Sequence, residues 1–201
     1  MEQSAFMTGT MKIPDFQYDD MKPCSDMFEL RKWLHPKSHI LDLGSGNGAN
    51  AIFLAGSGHH VHAVDISLEH MENLESMASD MRYPIITEVA DLNDYTISDD
   101  YDLIIAYDVL HELPRISWKQ LIPMMKGRTN AGGFNLVSVN TDLVISEDNQ
   151  RRTPGIFHES ELFTWYRDWP LLEQKNYVRE RENVNGICNR NSINKVIAQK
   201  V

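Results

Sequence analysis

The sequence predicts an α/β protein on a doubly wound, Rossmann-like sheet of seven strands, mostly parallel with an antiparallel last strand. Two observations carry this. Short apolar runs at residues 40–43, 61–64, 85–89, 103–106 and 134–139 alternate with stretches whose apolar residues recur at helical spacing, the signature of a parallel sheet covered on both faces. The last two runs, 171–178 and 193–198, are separated by only a short connection around Asn185 and Gly186, which reads as a hairpin and so as an antiparallel edge. A chain of 201 residues fits a single domain with ample core. That domain is expected over 1–201, with an N-terminal arm at 1–24 and a lid or substrate wall inserted at 140–168.

Up to about Asp20 the chain is polar, with Met7, Met11 and Pro14 scattered through it, and is expected to lie as an arm. From 25 to 34, Met27, Phe28, Leu30, Trp33 and Leu34 recur at helical spacing and Pro36 stops the helix. A second helix is expected over 49–55. A third starts from Ser67 as N-cap, with Leu68, Met71, Leu74 and Met77 or Ala78 on one face. Pro114 suits the first turn of a fourth, which carries Trp118, Leu121 and Ile122 inward. Residues 140–153 are polar and strand-poor; Pro154 and Gly155 follow, then a short helix over 160–167 holding Glu161, Leu162, Phe163 and Trp165. This insertion falls after the C-terminal end of a strand, where open α/β sheets bind ligands.

Nineteen Lys and Arg against 29 Asp and Glu give a net charge of −10. A surface of that sign repels phosphate, so neither nucleic acid nor an anionic membrane is an expected partner. No basic stretch followed by an apolar run opens the chain and no apolar run reaches bilayer length, so a cytoplasmic protein is expected. Cys24 and Cys188 have no CxxC spacing and no metal-finger histidine beside them, which argues against a disulfide scaffold and a zinc module. His60 and His62 alternate onto one strand face but lack nearby acidic or thiol ligands in sequence, and no metal is expected.

The chemistry is concentrated in residues 40–50, Ile-Leu-Asp-Leu-Gly-Ser-Gly-Asn-Gly-Ala-Asn. An apolar strand ends in a Gly-rich turn that opens a helix, and a Cβ at those glycines would hold a ligand away from the backbone amides. Gly44, Gly46 and Ala49 also satisfy the dinucleotide pattern G-x-G-x-x-G/A, which keeps an NAD-dependent oxidoreductase as a rival. Three acids separate the readings. Asp42, on the strand end, has the wrong sign for a pyrophosphate but suits an ammonium group. Asp65 ends the next strand 21 positions after Gly44 and can accept both hydroxyls of a ribose. Asp91 follows the third strand, where it can take the exocyclic amine of adenine. A ligand with an ammonium, a ribose diol and an adenine amine but no phosphate matches the set, and S-adenosylmethionine is such a ligand. A second nucleotide-binding half, which the oxidoreductase needs, is missing. The rival from another class is a non-catalytic protein that binds the same ligand.

Residues 41–48 resemble motif I of class I S-adenosylmethionine-dependent methyltransferases, with Asp65 and Asp91 at the positions of the second and third motifs and 106–113, Ala-Tyr-Asp-Val-Leu-His-Glu-Leu, resembling the fourth. A narrower resemblance, to the tellurite-resistance methyltransferases of the TehB type, rests on the Asn-Gly-Ala-Asn ending of the first motif, on Asp91-Leu92-Asn93, on 132–136, and on 154–162 followed by Trp169. It implies a metal-free enzyme binding S-adenosylmethionine through Asp42, Gly44, Ser45, Gly46, Asn50, Asp65, Ile66, Asp91, Leu92 and Tyr107. It further implies a small soluble acceptor, a chalcogen oxyanion such as tellurite or selenite, methylated without a general base; the sequence does not decide between a monomer and a homodimer. His111, in the loop after the fourth strand, is the candidate for substrate contact, with Arg179 and Arg181. The chain departs from the pattern where the family places His and Arg facing substrate: the stretch here is Val178-Arg179-Glu180-Arg181-Glu182-Asn183, and Met21-Lys22-Pro23-Cys24 stands near the first helix. Lys22, Arg151, Arg152, His158, Arg179 and Arg181 are the basic residues left to hold an oxyanion. An Asn-Pro-Pro-Tyr-type tetrapeptide after the fourth strand is absent, which disfavours a DNA or protein-amide methyltransferase. Cys24, with no activating partner in sequence, is expected to be unreactive.

Overall fold

The computed structural model describes residues 21–144, 154–182 and 188–201. Strands β1 (His39–Leu43), β2 (His60–Asp65), β3 (Ile85–Val89), β4 (Tyr101–Tyr107), β5 (Thr129–Val144), β6 (Leu171–Glu182) and β7 (Cys188–Gln199) form one sheet in the order β3-β2-β1-β4-β5-β7-β6. The pairings from β3 to β5 are parallel, while β7 runs antiparallel to both β5 and β6. The antiparallel strand is therefore internal and β6 forms the edge, because the hairpin folds back to put β7 beside β5. Its expected turn at Asn185 and Gly186 lies outside the described residues, as does the arm up to Asp20.

Helices α1 (Met27–Trp33), α2 (Ala49–Gly56) and α3 (Leu68–Met81) pack on one face and α4 (Arg115–Arg128) and α5 (Glu161–Trp165) on the other. Side chains alternate across a strand, so Ile40, Ala63, Leu103, Ile105, Leu136 and Ile197 meet Leu30, Leu54 and Leu74 on the α1–α3 side. Leu41, Ile104, Ala106, Val137 and Val196 meet Trp118, Leu121, Phe157 and Tyr166 on the other. Ser67 caps α3 by accepting the His70 N–H. Met71, Leu74 and Ala78 are buried, but Leu68 is exposed, because the first turn of α3 overhangs the end of the sheet.

β5 continues to Val144, into the segment expected to be strand-poor. Long-range pairing makes the difference: Thr141 bridges Phe157, Phe157 accepts the Asp142 N–H, and Val144 pairs with Asn191 of β7. The 154–157 turn is locked onto α4. Trp118 donates from Nε1 to the Gly155 carbonyl at 2.8 Å and stacks on Phe157 at 4.0 Å between centroids, and a Cβ on Gly155 would lie 1.8 Å from the Leu113 carbonyl oxygen. Trp165 meets Trp118 edge-on and Tyr166 is fully buried, so these aromatics fill the α4-side core. No described helix is long and apolar enough to cross a membrane.

Candidate functional site

The apolar rows on the α1–α3 face turn polar at the C-terminal ends of the parallel strands. Asp65 follows Val61 and Ala63 at period two, Asp42 follows Ile40, Tyr107 follows Leu103 and Ile105, and Ser138 follows Phe134 and Leu136. Ser138 is in register with both Tyr107 and Lys195, and Lys195 with Lys175. On β6 the same parity brings up Tyr177 and Arg179. Strand-end acids, tyrosines and cations thus share one face at the edge where open α/β sheets bind ligands.

In the Gly-rich turn, Gly44 and Ser45 donate backbone N–H groups to the Val64 carbonyl. Gly44 has φ +68°, and a Cβ there would lie 2.4 Å from Val109, so packing as well as backbone conformation demands glycine. Gly46, at φ +53°, has nothing within 4 Å of where its Cβ would be; its open side is the space left for a ligand. Asp65 braces this turn, accepting from Gly46 N–H at 2.9 Å through Oδ2 and from Ser67 N–H at 2.9 Å through Oδ1. Asn50 ties the turn to the lead-in of α1 by accepting the Cys24 N–H at 3.0 Å. Asp91 is exposed with Oδ1 on the Asn93 N–H, Leu92 is buried and Ile66 exposed.

Among the described residues, Asp42 Oδ2 and Ser45 Oγ are buried there without a hydrogen-bond partner. Burial, with the Asp65 charge adding to it, pushes the Asp42 carboxyl up to about 7. A buried acceptor of that kind calls for a cationic donor, and the ammonium of an amino-acid moiety fits. Asp65 keeps a lone pair on each oxygen for a diol. The residues present therefore fit the ligand read from the sequence.

The β4–β6 end brings together groups far apart in the chain. Asp108, at φ +60°, forms a two-pronged ion pair with Arg179: Nη1 donates to Oδ2 and Nη2 to Oδ1, the latter at 3.1 Å. Ser138 Oγ donates to Asp108 Oδ1 at 2.8 Å, and Tyr177 Oη accepts from Arg179 Nη2 at 3.3 Å. Burial alone would lower the affinity of Arg179 for its proton, but the bonds to Asp108 carry it upward. The guanidinium lies 5.9 Å from the Tyr107 ring centroid. Burial, with Tyr177 and Cys24 beside it, raises the Tyr107 phenol and keeps it neutral.

His111 is buried next to this pair. Its Nδ1 accepts the Asn140 N–H at 3.2 Å, and Nε2 lies 2.7 Å from the Asn140 carboxamide and 3.3 Å from Glu112 Oε1. Burial lowers its pKa to about 4; Asp108 opposes that shift and Arg179 adds to it. With Nδ1 accepting, the proton of the neutral ring sits on Nε2, and Asn140 turned with its otherwise partnerless Oδ1 toward that nitrogen satisfies both groups. Arg181 occupies β6 opposite Asn189. Of the other basic residues named from the sequence, Arg151 and Arg152 lie outside the described residues, Lys22 is exposed, and His158 is held by Asp142 at 2.6 Å.

Sequence reasoning passed over Asp108, Ser138, Asn140, Tyr177 and a buried charge cluster. In that cluster Lys195 Nζ reaches Asp26 Oδ1 at 2.5 Å and Glu173 Oε1 at 2.7 Å. For the strand residues Ser138, Asn140, Tyr177, Glu173 and Lys195 the signal was strand parity, while Asp108 and Asp26 lie outside the strands and gave none. Burial, reinforced by Asp26, pushes the Cys24 thiol up to about 12, which keeps it inert at neutral pH. On the opposite sheet face His62 lies 2.9 Å from both Tyr101 Oη and Glu88 Oε2, and among the described residues no cluster has the makings of a metal site.

A family model described as tellurite resistance protein TehB matches residues 14–197. The chain is 30% identical over 167 residues to a probable S-adenosyl-L-methionine-dependent methyltransferase TehB of Haemophilus influenzae, covering 82% of this chain and 57% of that protein. It is 34% identical over 140 residues to hemagglutinin 1 of Eikenella corrodens, covering 69% of this chain and 46% of the relative. The chain thus spans about half the length of the curated relatives it matches. The crystal structure of TehB from Haemophilus influenzae superposes with a TM-score of 0.80 at 28% identity, over 88% of this chain and 62% of that one. A coclaurine N-methyltransferase bound to N-methylheliamine and SAH shares the fold at 12% identity, with a TM-score of 0.67 over 97% of this chain and 76% of that one.

Proposed function

This chain belongs to the TehB tellurite-resistance family, and from that premise we propose that it is a cytoplasmic S-adenosylmethionine-dependent methyltransferase whose acceptor is a small tellurium or selenium oxyanion. The observation that carries the reading is the pair of buried, partnerless atoms Asp42 Oδ2 and Ser45 Oγ beside the open side of Gly46. The same proteins' resemblance at the level of fold and family supports the cofactor.

When bound, S-adenosylmethionine supplies an electrophilic methyl group on a sulfonium sulfur. Asp42 and Ser45 take the ammonium end. Asp65 would hold the ribose while bracing the turn, and Asp91 would hold the adenine amine, with Ile66 and Leu92 lining the adenine end. Gly44, Gly46 and Asn50 shape the cradle. Tyr107 stands at the boundary between the cofactor and acceptor ends of the strand row. Arg179 orients the acceptor anion, the Arg181 side chain lying outside the described residues, and neutral His111 holds the loop after β4 against β5.

An oxyanion with a lone pair on its central atom attacks without losing a proton, so no residue need act as a base. That agrees with a His111 ring whose Nδ1 already accepts a hydrogen bond. Catalysis is then positioning and exclusion of water, contributions worth up to about 7–11 kcal/mol. The test is a turnover assay following the demethylated cofactor across tellurite, selenite, arsenite and small thiols. Turnover with the first two supports the proposal. Cofactor binding with no turnover on any acceptor favours a non-catalytic binding protein instead.

A further inference from the structure

We propose that Asp108 is a built-in competitor for the acceptor's anionic group, occupying the Arg179 fork until a more strongly bound oxyanion displaces it, and so sets which anions the site admits. The proposal rests on the oxyanion reading above and concerns its selectivity.

Four features of the pair carry it. Both terminal nitrogens of Arg179 are engaged by the two oxygens of Asp108, the two-pronged arrangement that an oxyanion would itself adopt. Asp108 is anchored independently of Arg179: its N–H donates to the Ser138 carbonyl at 2.9 Å and its Oδ1 accepts from Ser138 Oγ at 2.8 Å. It keeps its position when the guanidinium turns away. Arg179 likewise has holds apart from Asp108, on Tyr177 Oη and over the Tyr107 ring. Finally, Asp108 is one of four non-glycine residues at positive φ among the described residues, a conformation retained where surrounding structure over-determines it and common at functional sites.

The consequence is discrimination by charge. A monocarboxylate that replaces Asp108 exchanges one carboxylate for another, gains nothing electrostatically and loses its own freedom of motion. A dianion gains a second charge's worth of attraction to the guanidinium. The device disfavours monocarboxylates while admitting a doubly charged oxyanion, such as selenate or the doubly ionised fraction of selenite and tellurite, and specificity of this kind comes from an opposing term rather than from extra attraction.

The test is calorimetric binding of selenate, which has no lone pair on selenium to methylate, to the full chain saturated with the demethylated cofactor. Asp108→Asn keeps the size, the tolerance of positive φ and the bond from Ser138. It should bind selenate at least tenfold more tightly and bind acetate measurably where the parent does not. The gain should vanish in Asp108→Asn with Arg179→Gln. Glu112→Gln, which removes a charge from the same loop off the fork, should change selenate affinity less than threefold. Should Asp108→Asn not fold, Ser138→Ala, which loosens the competitor without changing charge, should tighten selenate about threefold. The proposal is overturned if folded, cofactor-binding Asp108→Asn shows unchanged selenate affinity, if Glu112→Gln matches its gain, if the gain survives loss of Arg179, or if Ser138→Ala is without effect. Because binding is read without turnover, failure of the parent to methylate any oxyanion would sink the proposed function and leave this result standing on its own.

Discussion

Replacing Asp42 by Asn should stabilise the empty protein and weaken the cofactor at the same time. The Asp42 carboxyl is 2% exposed with Oδ2 unpartnered, and burial with the Asp65 charge lifts it from 3.8 to about 7. That difference corresponds to roughly 4 kcal/mol against the ionised form in the folded state. Because the folded value is the higher one, the cost is absent below the unfolded value near 4, accumulates as pH rises, and is complete above about 7. Asparagine removes it, although its own buried amide takes back part of the gain. The stability advantage of Asp42→Asn over the parent should therefore widen by roughly 2 kcal/mol between pH 5.5 and pH 8, some 4–8 °C in melting temperature at about 2–4 °C per kcal/mol. The variant also loses a charge-assisted bond to the cofactor ammonium, worth about 1.5–3 kcal/mol, or roughly 10- to 150-fold in affinity. Melts at the two pH values and titration calorimetry with S-adenosylmethionine read both effects. A variant less stable than the parent at pH 8, or one with parental cofactor affinity, would refute the reasoning. The parent should also release a proton on binding at pH 6, seen as a dependence of the measured heat on the ionisation enthalpy of the buffer.

Asp65→Asn should weaken the cofactor by about 1.5–3 kcal/mol and, by removing the charge that helps raise Asp42, shift the pH midpoint of proton release downward; an unchanged midpoint would separate the two carboxylates. With His111 held at about 4, the acceptor kcat/KM at saturating cofactor should show no limb near the ordinary histidine value. A limb at about 6.5 that disappears in His111→Ala would restore the ring as a titrating base. Lys195→Met strands Asp26 and Glu173, whose side chains are 6% and 23% exposed; loss of one partner of a buried pair costs about 3–5 kcal/mol. At about 2–4 °C per kcal/mol that lowers melting by roughly 6–20 °C, and adding Asp26→Asn should recover part of the loss.

What could be read from the chain alone divides by the distance over which a feature is determined. The turn at Gly44–Ser45–Gly46 was legible because strand, turn and helix are contiguous, and Ser67 because a cap acts within three residues. Local periodicity placed Met71, Leu74 and Ala78 inward, but it carries no information on where the sheet ends, so Leu68 was put on the buried face and is exposed. The extension of β5 to Val144 depends on Phe157 and Asn191, and nothing local to 140–144 announces it. Arg179 was singled out as a basic residue on the last strands. Its partner Asp108, 71 positions earlier, was quoted within a motif without a role, since only the register of β4, β5, β7 and β6 brings the two onto one face.

That register also changes the meaning of the net charge. In sequence the excess of acid lies before residue 140, with 20 acids against 10 bases, and the remaining 61 residues sum to zero. In the fold, cations from the neutral part cross over: Arg179 to Asp108 and Lys195 to Asp26. The carboxylates at the β4–β6 end of the strand row are thereby compensated. At the β3–β1 end, Asp42 and Asp91 have no ion-pair partner among the described residues, and Asp65 has only His70 at 3.8 Å. Charge along the row is thus graded from uncompensated negative to near neutral, with Tyr107 at the junction. A cation is favoured at one end, and on the proposal above the other would admit an anion once the Arg179 guanidinium turns from Asp108 to it. On the proposed function this grading would orient a cationic methyl donor and an anionic acceptor head to head across β4, with the proton exchange confined to Asp42 at the cofactor end.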